Sequence, residues 1–225
     1  MGNFREKLKK WKQYSKMADL GIIARRKFFN NAFDGALTCA GIVSGIFIIY
    51  LNNPDQFTPQ NVIVTGFATA LAIGISGLWG AFLSEEAERR KKIIDMNKDM
   101  AITDDEEEED NSLSREGKVK NENNKKNKNK KKTLLQKAED FATIVASLVD
   151  GGAPVLGSSL PLIPFFFGIE LSILHFIASY LILAALLVYL GNFLGKISGG
   201  GRIRYALHLV AAGVITLLVS ILLGI

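Results

Sequence analysis

The sequence predicts an all-α integral membrane protein: five transmembrane helices, with a charged cytoplasmic insert between helices two and three. Apolar residues make up 48% of the chain and charged residues 22%, yet the two populations barely mix. Five apolar stretches, 33–51, 60–84, 138–167, 170–192 and 203–225, reach the ~20 residues that a helix needs to cross a ~30 Å hydrocarbon core. None shows the period-2 alternation of a barrel strand. Lipid leaves the backbone no other way to satisfy its hydrogen bonds, so helices are the expected solution.

Basic residues set the orientation. Nine Lys and Arg precede Phe33, fifteen lie in 85–137 and three in 193–205, which accounts for all 27 in the chain. The connections 52–59 and 164–168 and the carboxyl end carry none. Under the positive-inside rule each basic segment is cytoplasmic and each bare loop outside. Five spans satisfy that alternation with the amino terminus in and the carboxyl terminus out. The expected location is a multi-pass membrane protein, in the cell membrane if the cell is prokaryotic. The net charge of +5 therefore points to a membrane surface, and no nucleic-acid partner is expected. No cleavable signal peptide is read in the first 30 residues, which lack an apolar core and a small-residue cleavage site.

Four segments follow. Residues 1–32 form a basic cytoplasmic segment, whose Phe4, Leu8 and Trp11 repeat at helical spacing, either as an interfacial helix on an anionic leaflet or as a solvated tail. Residues 33–84 hold membrane helices one and two, and 138–225 hold helices three to five. The insert 85–137 contains seven consecutive acids at 104–110 and a Lys/Asn tract at 118–132. Like-charge blocks of that length are expected to be solvated and partly disordered.

A repeat relates spans one and three. Asp34, Gly35, Thr38, Gly41 and Gly45 share their spacing with Asp150, Gly151, Pro154, Gly157 and Pro161. Offsets of 0, 4, 7 and 11 fall on one helix face, so each helix is read as a carboxylate followed by a stripe of small or helix-breaking residues. Gly41 and Gly45 have the spacing of a helix-packing motif. Pro154 and Pro161 release backbone carbonyls that must find partners. Of the stretches as bounded above only the fifth holds a Lys or Arg, Arg204 at its start, so no buried ion-pair partner is expected for either aspartate. An ionised Asp at a helix centre costs about 2.5–3.5 kcal/mol on the insertion scale. The remaining choices are a cation or proton pathway through Asp34, Thr38, Asp150 and Pro154, or aspartates that are protonated or bonded to Thr38, Ser44 or Ser76.

Further carboxylates follow span two and begin span three. Glu85, Glu88, Asp95, Asp99 and Glu139, with Met96, Met100 and Asp140 nearby, are candidate ligands for a divalent ion, against the alternative of a solvated charged helix. His175 and His208 are expected to bond to neighbours, Glu170 to be solvated at the outer interface, and Cys39 to be a small packing residue. No nucleotide loop, paired-His zinc motif or serine-nucleophile motif is present, and no enzyme is expected.

The pattern resembles the vacuolar iron transporter / CCC1-like family. Span one carries Phe33-Asp34-Gly35-Ala36-Leu37-Thr38 with Val43-Ser44-Gly45. Span two carries Ile75-Ser76 and Gly80-Ala81-Phe82-Leu83-Ser84, and span three Ala146-Ser147 and Pro161-Leu162-Ile163-Pro164-Phe165. The resemblance implies five spans, a cytoplasmic insert, and export of Fe(II) or Mn(II) from the cytoplasm in exchange for protons, with Asp34 on the ion path. It implies no permanently bound cofactor, and a homodimer with span one near the interface is expected. Gly77 and Ala81 stand where the family usually has methionine and glutamate, which marks a divergent relative. The alternative function is a non-transporting membrane scaffold of the same fold, whose charged tails recruit lipid or protein partners.

Overall fold

A computed structural model describes the backbone of residues 2–17, 19–110 and 118–222, and the side chains of 6, 10–16, 19–92, 94, 95 and 137–222. The described residues are all-helical, with no strand. The elements are α1 (Gly2–Met17), α2 (Leu20–Asn52), α3 (Pro59–Asp110), α4 (Lys118–Ser159), α5 (Ile173–Ser198) and α6 (Arg202–Leu222). Short 3-10 segments at Pro54–Gln56 and Leu160–Phe166 follow α2 and α4.

Five of these helices hold stretches long and apolar enough to cross a membrane: Leu20–Asn52, Pro59–Lys92, Lys137–Phe166, Ile173–Ser198 and Arg202–Leu222. The first is 33 residues long, roughly 50 Å of helix. It therefore begins well before the predicted boundary at Phe33 and carries Lys27 with it. Glu170 precedes the fourth span and is exposed in the connection before α5. In the insert, helix continues to Asp110 and is described again from Lys118. Glu and Lys cost little in a helix, and a bilayer-length helix already supplies the nucleus from which further turns propagate.

The chain divides into two compact units. One comprises Ala24–Trp79 and Leu148–Ile225. Two buried apolar clusters form its core. The first packs Ala32, Ala36 and Ala40 of α2 with Ala153 of α4 and Leu183, Leu187 and Leu190 of α5. The second gathers Cys39, Val43 and Ile46 with Val62, Leu162, Phe165 and Phe176. Small residues permit the close approach of α2 and α4. A Cβ at Gly35 would strike the Pro154 backbone, and one at Gly157 would strike the backbone of Ala32. Packing without a hydrophobic drive between helices in lipid favours such sites. Contacts advance together, from Lys27 and Asn31 against Asp150 to the cluster shared by Val43 and Leu162, so the two helices run parallel.

The carbonyls of the prolines themselves accept from serines. Ser158 Oγ donates to the Pro154 carbonyl at 2.7 Å, and Ser179 Oγ of α5 donates to that of Pro161 at 2.7 Å. The other unit comprises Met1–Ile23 and Gly80–Ser147. Within it Trp11 stacks on Phe141 with ring centroids 5.9 Å apart, and Tyr14 lies 6.2 Å from the same ring. The aromatic face of α1 is thus used against α4.

Candidate functional site

The stripe predicted on span one begins earlier than the repeat suggests. Lys27, Asn31, Asp34, Thr38, Gly41 and Gly45 follow one another at helical spacing and share a face of α2. Its two ends differ. Asp34 is exposed, and among the described residues its carboxylate makes no hydrogen bond or ion pair. Thr38 Oγ1 turns back to the Asp34 carbonyl at 2.9 Å. Gly41 has open space where a Cβ would project, whereas Gly45 is buried. An exposed carboxylate on an otherwise apolar helix is costly against lipid.

Asp150 sits in the opposite environment. Its side chain is 10% exposed, and Lys27 Nζ donates to Oδ2 at 2.6 Å. Asn31 Nδ2 donates to Oδ1 at 2.7 Å and also to the Lys27 carbonyl at 2.9 Å. The expectation that no basic residue could pair with a span aspartate is therefore corrected. Lys27 lies on the span helix itself, and its flexible stem carries the ammonium to the carboxylate. Neither Thr38, Ser44 nor Ser76 bonds Asp150. Ser44 accepts from Tyr180 at 3.1 Å, and Ser76 is exposed.

Pro154 stands four residues beyond Asp150 and has no N–H, so the Asp150 carbonyl loses its helical donor. That carbonyl faces Gly77 of α3, where an added Cβ would come within 2.8 Å of it. On the neighbouring turn, Gly151 lies against the Gly74 backbone. The glycine at position 77 thus admits the α4 backbone, and a longer side chain there would collide with it.

The second grouping lies in the unit containing Gly80–Ser147. A cavity of about 110 Å³ is lined by Glu85, Glu88, Arg89 and Lys92 of α3, Glu139 and Thr143 of α4, and Leu20 and Ile23 of α2. Three of the predicted ligands thus border one space, but cations share it. Arg89 pairs with Asp140, and Lys92 lies 3.6 Å from Glu88. The Arg89 Nε is buried without a hydrogen-bond partner, a group that water commonly satisfies. Among the described residues no three His, Cys, Asp or Glu side chains are close enough to hold a metal ion.

A model of the VIT family matches residues 26–225, which include both aspartates, the first span from residue 26 and the other four as far as they are described. This chain belongs to the VIT family. VIT proteins are membrane metal-ion transporters. The chain is also similar to an uncharacterized protein of the archaeon Methanocaldococcus jannaschii, with 27% identity over 192 residues, covering 85% of this chain and 83% of that protein.

In this VIT chain, Asp34 and Asp150 do not occupy equivalent surroundings, although the repeat places them at equivalent positions. Pro154 is buried against α2. Asp95 is exposed, while the side chains of Asp99, Met96 and Met100 lie outside the described residues. His175 caps α5, with Nδ1 accepting from the Ser172 N–H at 3.1 Å, and His208 Nδ1 lies 2.7 Å from the Arg204 carbonyl. Cys39 is buried in an apolar cluster. The sequence reading missed Lys27, Asn31 and Arg89. The 0, 4 and 7 spacing of Lys27, Asn31 and Asp34 was the available signal for the first two.

Proposed function

We propose that this protein exports a divalent cation, Fe(II) or Mn(II), from the cytoplasm in exchange for protons. The observation that carries the reading is the exposed Asp34 carboxylate on the α2 stripe of a VIT-family chain. A charge at that depth needs a cation, a proton or a polar cover. Carboxylate and hydroxyl oxygens such as those of Asp34 and Thr38 suit Mn(II) and accept Fe(II).

A second copy of the chain supplies the cover. Two stripes of Asp34, Thr38 and Gly41 facing each other across a two-fold axis would enclose the carboxylates in protein and leave water and cations access to them. The basic segments lie in the cytoplasm, as their distribution requires. Glu85, Glu88 and Glu139 gather the cation there, and Asp34 carries it through the bilayer with proton exchange. The test is flux of Mn(II) and Fe(II) into proteoliposomes with a pH-sensitive dye in the lumen. Wild-type protein moves the ion with counterflow of protons, and Asp34→Asn abolishes both. Undiminished flux in Asp34→Asn would overturn the role assigned to that carboxylate.

A further inference from the structure

The contact of Lys27 with Asp150 and Asn31 is built as a binding site already filled by a cation. The ammonium sits 2.6 Å from one carboxylate oxygen, and the amide of Asn31 bridges the other oxygen to the helix that bears the ammonium. The geometry points to a displaceable lock: Lys27 is a tethered surrogate ion, and a hard divalent cation takes its place on Asp150. This inference rests on the transport reading and adds an entry site to it.

Three observations support displacement over permanent pairing. First, the site lies on the same face of α2 as Asp34. Lys27 is seven residues before Asp34 and Asn31 three, about 10 Å and 5 Å along the axis. A cation travelling along this stripe from the amino-terminal end of α2 meets Asp150 before it meets Asp34. Second, the Lys27 side chain is 21% exposed and that of Asp150 10%. Lysine has a long flexible stem and no fixed bidentate geometry, so it can swing aside. Third, the side-chain donors within reach are all oxygen once Lys27 leaves: the two carboxylate oxygens and the Asn31 amide oxygen after rotation. Such donors favour hard cations that retain some of their water.

Charge explains why the ion must be divalent. A buried carboxylate left unpaired is strongly unfavourable, so Lys27 leaves only as another cation arrives. The tether gives the ammonium a high effective concentration, and a monovalent ion of equal charge has no advantage over it. A divalent ion brings twice the charge. A weak site is what a pathway needs, since an ion must also leave.

Mn(II) binding to the purified full-length protein, read by the electron paramagnetic resonance signal of the free ion, tests the lock without requiring transport. Lys27→Met should raise the affinity of one site roughly tenfold, as expected if the paired state holds about nine-tenths of the population. Lys27→Met/Asp150→Asn should lose that gain. Lys27→Gln is the second variant, and it keeps a neutral donor beside the carboxylate. A merely structural ion pair gives no gain in binding from either variant. That result overturns the lock, as does a gain that persists when Asp150 is Asn, or failure of both single variants to yield monodisperse protein. Wild-type flux without the binding gain removes the lock and leaves the transport reading intact. The gain without any wild-type flux removes the transport reading and leaves the lock.

Discussion

Lys27 of α2 donates to Asp150 of α4 at 2.6 Å, joining two parallel spans through a charge pair that is largely buried. The pair is reinforced by Asn31, so its members should be energetically coupled. A double-mutant cycle of Lys27→Met and Asp150→Asn, followed by thermal unfolding in detergent without divalent ions, should give a coupling of about 1–3 kcal/mol. Additive effects would mean that the two side chains do not meet. Adding Mn(II) should recover part of the stability lost by Lys27→Met, because a ligand of the folded state shifts unfolding by mass action.

Asp34 should behave in the reverse manner. Its carboxylate is exposed and makes no bond among the described residues, so Asp34→Asn should leave unfolding stability within about 0.5 kcal/mol of wild type. Flux should vanish nonetheless. A large loss of stability in this variant would assign Asp34 to packing.

The glycines offer a contrast. Gly35→Ala and Gly157→Ala each force a Cβ onto backbone of the facing helix, and overpacking of this kind costs about 1–3 kcal/mol. Gly41 meets open space, so Gly41→Leu should spare protomer stability while weakening self-association, measured by mass photometry or cross-linking. Unchanged association in Gly41→Leu would remove this face as the dimer contact.

The cavity bordered by Glu85, Glu88 and Glu139 should influence affinity more than turnover. Replacing all three with Gln should raise the Mn(II) concentration for half-maximal flux roughly tenfold, since a cleft lined by negative charge raises the local cation concentration. Maximal flux should persist. Loss of maximal flux with unchanged half-saturation would place these residues on the translocation path instead.

Deleting residues 101–132 separates transport from scaffolding. A transporter whose path lies along α2 and α4 should keep its flux in proteoliposomes. A protein that worked by recruiting partners through its charged tracts would lose its function with them.

Much of the fold was legible because lipid imposes a coarse rule. A stretch of apolar residues long enough to span must become helix, whatever its detailed sequence. The helix ends were less legible. Hydropathy marks where charge begins, but a helix continues past that point when its residues tolerate it, which is how Lys27 came to lie on the first span helix. The insert followed the same physics, with helix carried to Asp110 and described again from Lys118.

The site was legible only in part. The apolar surroundings of Asp34 and Asp150 marked both residues as costly, and helical spacing put Thr38, Gly41 and Gly45 on the face of Asp34. Spacing could not reveal what stood opposite that face. Gly77 and Ala81 looked like missing ligands along the sequence, yet Gly77 is occupied by the approach of the Asp150 carbonyl.

The sequence by itself determined the five spans, the segregation of charge and the two carboxylates within apolar helix, because each follows from local composition and the cost of exposing polar groups to lipid. Only the tertiary structure decided that Asp34 is open while Asp150 is closed by Lys27 and Asn31. That difference arises where two helices cross closely enough for a side chain on one to reach the other, 123 residues away along the chain.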